Sequence, residues 1–319
     1  MNYWIQRLAG GLLVLLAVSA LTFGAMNVLG DPLFNILGPV AGDTENPQSV
    51  ALIEAAEEEY NLDRPLPVRY VMWLGDFVTG DFGVQFSEDG EPPVWNLLKE
   101  RVPRTLTLVV MAQLMATIIA IPWALWSASK ADKPTDRAST VVTFLLVAIP
   151  NFALAVILKY FFTLRFGLFP QTYTATDPYW SRAWQTFLPA LCIALPAAAV
   201  YQRLLRTDLI TTLQEDFILT ARSKGVSRRA VLFKHALRPS LFSFVTIFGI
   251  TTGALIGGAL IVEQIFRIPG LGSAVVEAIL REDFPVVLAV VMLVSVAFVV
   301  LNILIDVLYS LLDPRVRDV

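Results

Sequence analysis

Six stretches of this chain contain no Asp, Glu, Lys or Arg and are rich in apolar residues: 8–29, 105–129, 138–158, 183–202, 239–262 and 284–305. A helix needs about 20 such residues to cross about 30 Å of hydrocarbon. Each run meets that length, so the sequence predicts an all-α integral membrane protein with six transmembrane helices. The first run is too long for a signal-peptide core and lacks a clear small-residue cleavage site, so it reads as a retained anchor. Pro122, Pro150, Pro189 and Pro196 fall within runs. Neighbouring helices can satisfy the carbonyls that such prolines free.

Composition agrees. Hydrophobic residues make up 56% of the chain, charged residues 16%, and the mean hydropathy is +0.64. Soluble domains are typically about 45–50% apolar and about 25% charged. A single cysteine, Cys192, and a single histidine, His235, exclude an internal disulfide and argue against a Cys/His zinc site. Cys192 sits in an apolar run and reads as a small buried hydrophobe.

Charge sets the orientation. The segment 203–238 holds eight Lys/Arg against three acids, and 130–137 holds three against two. The segment 30–104 carries fourteen acids and five bases, and 263–283 carries four acids and two bases. With Arg315 and Arg317 in the tail, the positive-inside rule places both termini and the 203–238 loop in the cytoplasm. Residues 1–29 then form an N-terminal span, 30–104 an extracytoplasmic domain, and 105–319 a five-helix core. Within the outer domain, 50–60 has the spacing of a short amphipathic helix. Residues 94–101 read as an interfacial helix with Trp95 and Leu98 on its apolar side.

Lys159, near the outer end of the third span, admits two readings: pathway lining, or snorkelling to the interface. No run has an acid at its centre, which argues against a proton- or sodium-coupled carrier. An intramembrane enzyme would require a nucleophile–base pair or metal diad within the spans, and His235 lies in a loop. The chain has no G-x-x-x-x-G-K-[ST], H-E-x-x-H or G-x-S-x-G motif, so no nucleotide cofactor is expected in it. Gln113, Asn151 and Asn302 are polar candidates for lining a pathway, with helix–helix hydrogen bonding as the alternative. Gly253 and Gly257 form a G-x-x-x-G, which admits close helix approach or chance.

The 203–238 loop has the most internal pattern. Residues 208–224 read as a helix broken at Gly225, where a glycine permits positive φ. A second helix starts after a cap at Ser227, with Val231, Leu232 and Ala236 on its apolar face. The expected product is a compact basic knuckle.

Thr220-Ala221-Arg222-Ser223-Lys224-Gly225 followed by His235-Ala236-Leu237-Arg238 resembles the EAA loop of ABC-importer permeases, and more specifically the B-type permease of dipeptide and oligopeptide importers. Where the general pattern begins Glu-Ala-Ala, this chain has Leu219, Thr220 and Ala221, and Pro239 stands where that subfamily commonly has Asn. Further motifs run along the chain in matching order. They are Asp63-Arg64-Pro65-Leu66-Pro67 with Tyr70 and Trp73-Leu74, Gly80-Asp81-Phe82-Gly83, and Arg101-Val102-Pro103 with Thr105-Leu106. Pro269-Gly270-Leu271-Gly272 comes next, then Asp306, Tyr309 and Asp313-Pro314-Arg315.

The resemblance implies a type I importer permease in a bacterial inner membrane, non-catalytic, with ATP and magnesium bound by partner subunits. Its partners would be a second related permease in a heterodimer, two ATPase subunits and an extracytoplasmic peptide-binding protein, with lipid around it and no nucleic acid. Asp216, Thr220, Ala221, Arg222, Lys224, Gly225 and Ser227 would form the ATPase-coupling element, with Ala221 on the docking face. The resemblance favours dipeptides or oligopeptides as cargo, with nickel, glutathione or another solute left open.

Overall fold

The third apolar run does not make one helix. In the computed structural model, which describes residues 3–30, 32–87 and 90–312, it divides into α6 (Pro134–Ala148) and α7 (Asn151–Leu158). Pro150 lacks an amide hydrogen and forces its predecessor out of the helical region. Ile149 accordingly takes an extended conformation. The chain bends by 101° at this point, and α7 continues through a π-helical turn over Lys159–Arg165. Fifteen residues of α6 rise only about 22 Å, short of about 30 Å of hydrocarbon. Among the described residues, five other helices are long and apolar enough to cross a membrane: Ile5–Val28, Val94–Ser129, Tyr179–Thr212, Arg228–Leu255 and Phe284–Val307. The bent pair, taken as one broken span, makes the sixth. Among the described residues the structure is all-α apart from an isolated bridge between Val84 and Pro93. The motif Asp313-Pro314-Arg315 and the tail bases Arg315 and Arg317 lie outside the described residues, as does the side chain of Tyr309.

The chain divides into two compact units. The first joins Met1–Pro103 to Gly270–Val299. Here α1 (Tyr3–Leu29) is followed by a short α2 (Pro32–Leu37), α3 (Pro47–Glu59) and α4 (Leu66–Thr79). Asn46 caps α3, its side chain accepting from the Gln48 amide. The motif residues Tyr70 and Trp73 seat α4 on α1. Both rings lie 5.6 Å from the buried ring of Phe23, and the Tyr70 hydroxyl is 2.8 Å from Ser19 Oγ. The predicted interfacial helix is instead the first stretch of α5 (Val94–Ser129), which continues through Pro103. Its buried side is Val94 and Leu98, and Trp95 is exposed. Val94 and Leu98 pack on Leu271, Ala274 and Ala278 of α13 (Leu271–Leu280) and on Val286, Val287 and Val290 of α14 (Phe284–Leu312). Arg101 donates to Ser273 Oγ and Glu277 Oε2, each at 3.1 Å.

The second unit, Arg104–Pro269 with Val300–Val319, is built around α8 (Tyr179–Thr212). Ala116, Ala120, Ala124 and Ala128 of α5 recur every four residues, so they share one helix face. All four are buried against Ala194, Ala197, Ala198, Tyr201 and Leu205 of α8. Small side chains let two backbones approach closely and gain dispersion contact where lipid offers no hydrophobic drive. The same device recurs between α11 (Leu237–Gly258) and α14, where a Cβ at Gly249 would overlap the side chain of Ile305. Lys159 is half-buried: its Nζ donates to the Ile265 carbonyl at the end of α12 (Leu260–Phe266) and lies 5.4 Å from the Phe266 ring centre. Glu263 is fully buried and accepts from Thr105 Oγ1 at 2.6 Å.

Candidate coupling site

The knuckle begins later than its sequence suggests. The helix expected over 208–224 is two helices. α8 runs to Thr212, its backbone turns at 213–215, and α9 (Asp216–Ser223) starts afresh. Asp216 sits in the first turn of α9 and Arg222 in the last. That order suits a helix whose amino end is partially positive and whose carboxyl end is partially negative.

Gly225 ends α9 at φ +78°. The Gly225 amide donates to the Arg222 carbonyl at 3.0 Å and the Val226 amide reaches back to the Ala221 carbonyl at 3.2 Å. The second bond spans six residues and is the signature of a left-handed glycine termination. Val226 then packs against the buried cluster. Ser227 caps the next helical turn, its Oγ accepting from the Ala230 amide at 3.3 Å. The second helix of the knuckle does not stand alone. Arg228–Ala230 (α10) passes through a π-helical turn at Val231–Ala236 directly into α11. The knuckle is therefore α9 hung between two long helices.

Ile218 and Ala221 are the buried residues of α9, and Ile218 packs in one cluster with Leu205, Leu209, Val231 and Ala236. Ala221, expected on the docking face, is 9% exposed, on the same side of α9 as Ile218 three residues earlier. Phe217, Leu219 and Phe233 are each about half exposed, at 48%, 52% and 57%. Thr220, Arg222, Lys224, Ser227, Arg228 and Arg229 are also exposed. The outward surface thus combines apolar side chains with a cluster of bases around a glycine. A Cβ on Gly225 would meet nothing within 4 Å in this chain.

A polar network braces the base of the knuckle. Asp136, 2% exposed, accepts from Arg206 Nε at 2.7 Å, from Ser127 Oγ at 2.6 Å and from the Asp132 amide at 3.1 Å. Trp123 Nε1 donates to Ser139 Oγ at 2.7 Å nearby. Three helices, α5, α6 and α8, are tied at one level by these bonds. Neither Asp136 nor Arg206 stood out in the sequence, because a pair separated by 70 positions leaves no local pattern.

Gln113 is 3% exposed and links helices. Tyr201 Oη donates to its Oε1 at 2.7 Å, and its Nε2 donates to Thr252 Oγ1 and to the Phe248 carbonyl. Asn151 is exposed at the first position of α7, just past the Pro150 break. Asn302 is half-buried on α14. Among the described residues, no group of three or more His, Cys, Asp or Glu side chains is placed to hold a metal ion.

Residues 120–318 match the family described as binding-protein-dependent transport system inner membrane component. The chain is 35% identical to the oligopeptide transport system permease protein AppB of Bacillus subtilis (strain 168), over 99% of both chains. It is 32% identical to a probable peptide ABC transporter permease protein, y4tP, of Sinorhizobium fredii, again over 99% of each. It is 33% identical to the glutathione transport system permease protein GsiC of Escherichia coli (strain K12), at the same coverage.

Proposed function

The chain belongs to the family of binding-protein-dependent transport system inner membrane components, and from that premise we propose that it forms half of the translocation pathway of an ATP-driven importer of short peptides. Peptide as cargo is supported by relatives named for oligopeptide, peptide and glutathione transport. Family membership makes the chain a non-catalytic permease subunit, with ATP hydrolysis in partner ATPases and cargo delivered by a binding protein. A second, related permease supplies the other half of the pathway in this reading. Both termini and the 203–238 loop face the cytoplasm, as the excess of bases in that loop supports.

The observation that carries the coupling role is the form of the knuckle. α9 is short, anchored at its inner face by Ile218 with Ala221 buried beside it, and closed by a left-handed turn at Gly225. A short rigid element transmits a rigid-body displacement to the helices it joins, whereas a slack loop absorbs it. Docking of α9 on an ATPase subunit would therefore act through α8 and α11, with Asp216, Thr220, Arg222, Lys224 and Ser227 around the contact. ATP binding shifts the pathway between inward- and outward-open states through contacts that differ in the two.

Gly225→Val and Gly225→Asn separate this role from a passive connection. Asn tolerates positive φ, and a β-branched residue does not. With membrane abundance matched, the Val variant should lose ATPase co-purification and peptide uptake by tenfold or more, and the Asn variant should keep most of both. Wild-type uptake and partner binding in the Val variant would reduce the loop to a connector.

A further inference from the structure

A cavity of about 230 Å³ lies within the first unit, where α4 meets the carboxyl end of α1 and the amino end of α14. Its walls are mostly apolar, with Phe23, Trp73, Phe284 and Leu288 among them, yet Arg69 opens onto it. Among the described residues the Arg69 guanidinium has no hydrogen-bond or ion-pair partner, and burial lowers its pKa. An arginine set half-buried beside aromatic walls, and not paired with either carboxylate that lines the same cavity, Asp76 or Asp81, is costly unless a ligand engages it. A second orphan shares the cavity: Asn27 Oδ1 is buried and unpaired. Asp76 also lines it, two turns after Arg69 on the same face of α4 and about 10 Å along the helix axis.

The depth of the cavity narrows the ligand. Phe23 and Asn27 lie in the last two turns of α1, and Phe284 and Leu288 in the first two of α14. Both helices are membrane spans, so the cavity sits where spans leave the hydrocarbon and lipid headgroups begin. A guanidinium matches phosphate with paired hydrogen bonds, a carboxylate two turns on suits an ammonium, and the apolar walls suit a glycerol backbone and upper acyl chain. We propose that this cavity binds one phospholipid with a zwitterionic aminophosphate headgroup, the phosphate held by Arg69 and the ammonium directed to Asp76.

The full chain, purified in mild detergent from membranes containing phosphatidylethanolamine and phosphatidylglycerol, should retain one phosphatidylethanolamine by native mass spectrometry. Arg69→Gln should lower that occupancy tenfold or more, and Lys99→Gln, which neutralises an exposed cation of the same unit, should leave it unchanged. Asp76→Asn should switch the preference to phosphatidylglycerol while keeping one lipid bound. That variant alters an exposed side chain and keeps the test decisive if Arg69→Gln folds poorly. Millimolar inorganic phosphate and trialanine should not displace the lipid. Unchanged occupancy in folded Arg69→Gln, unchanged headgroup preference in Asp76→Asn, or displacement by trialanine would each overturn the assignment; the last would make the cavity a cargo site.

Discussion

Arg206 holds the nearly inaccessible carboxylate of Asp136 with two donors, its Nε 2.7 Å from Oδ1 and its terminal nitrogen on Oδ2. The pair joins an acid of the 130–137 segment to a base of the next basic segment, so two loops that look independent share one anchor. Both carboxylate oxygens have further donors, from Ser127 and the Asp132 amide. Full satisfaction is what makes a buried charge tolerable.

Arg206→Met should therefore destabilise the protein by roughly 3–5 kcal/mol, because it strands a buried carboxylate. Adding Asp136→Leu should restore most of the loss, since an apolar pair has no charge to desolvate. Thermal melting of the purified variants in detergent reads both effects. A single variant that melts with wild type would show that this pair anchors nothing.

Ala221→Glu and Leu219→Glu test which side of α9 faces a partner. Ala221 is buried at 9% exposure one turn from Ile218, so a carboxylate there lacks solvent and should unseat the helix. Limited proteolysis should then cut within 213–230. Leu219 is exposed, so its variant should resist proteolysis like wild type and still lose ATPase co-purification. The idea fails if both variants give one proteolytic pattern.

Gly249 permits close contact between α11 and α14. Gly249→Ala should cost about 1–3 kcal/mol by overpacking against Ile305. Ile305→Ala in the same chain should recover part of that loss, because the methyl then occupies vacated space. Equal melting temperatures for wild type and Gly249→Ala would sink this contact.

Orientation is open to direct labelling. In a Cys192→Ala background, cysteine at Glu58 should react with an impermeant maleimide from outside the cell, and cysteine at Arg229 only after the membrane is opened. Both positions are exposed and Cys192 is fully buried. Labelling of the Glu58 position solely from the cytoplasmic side would falsify the assigned topology.

The membrane-spanning helices were legible because solvent chooses them: a run without charges has nowhere stable but lipid. Their true lengths were not. α5 absorbs 94–104 and α8 extends to Thr212, since charged residues end a hydrophobic run without ending a helix. The alanine ladder at 116, 120, 124 and 128 was available as an i, i+4 repeat and would have marked the α5–α8 contact. The glycine turn at 225 came from residue type, because few other residues accept that φ. The inward face of α9 could be had from the spacing of Ile218 and Ala221, but a family motif drew attention to sequence identity instead of helical phase. Lys159 on the Ile265 carbonyl and Asp136 on Arg206 depend on how distant segments pack, and no local pattern announces either.

The elbow at Pro150 constrains what can surround this part of the chain. Restarting a helix at Asn151 leaves the amides of Asn151, Phe152 and Ala153 without acceptors inside α7. Bare peptide donors of this kind are not tolerated against acyl chains. Water or another protein surface must therefore wet or cover the elbow, although α6 and α7 around it display Phe144, Val147 and Phe152 outward. Phe144, Val147 and Phe152 therefore flank a point on the surface where acyl chains alone do not suffice as solvent.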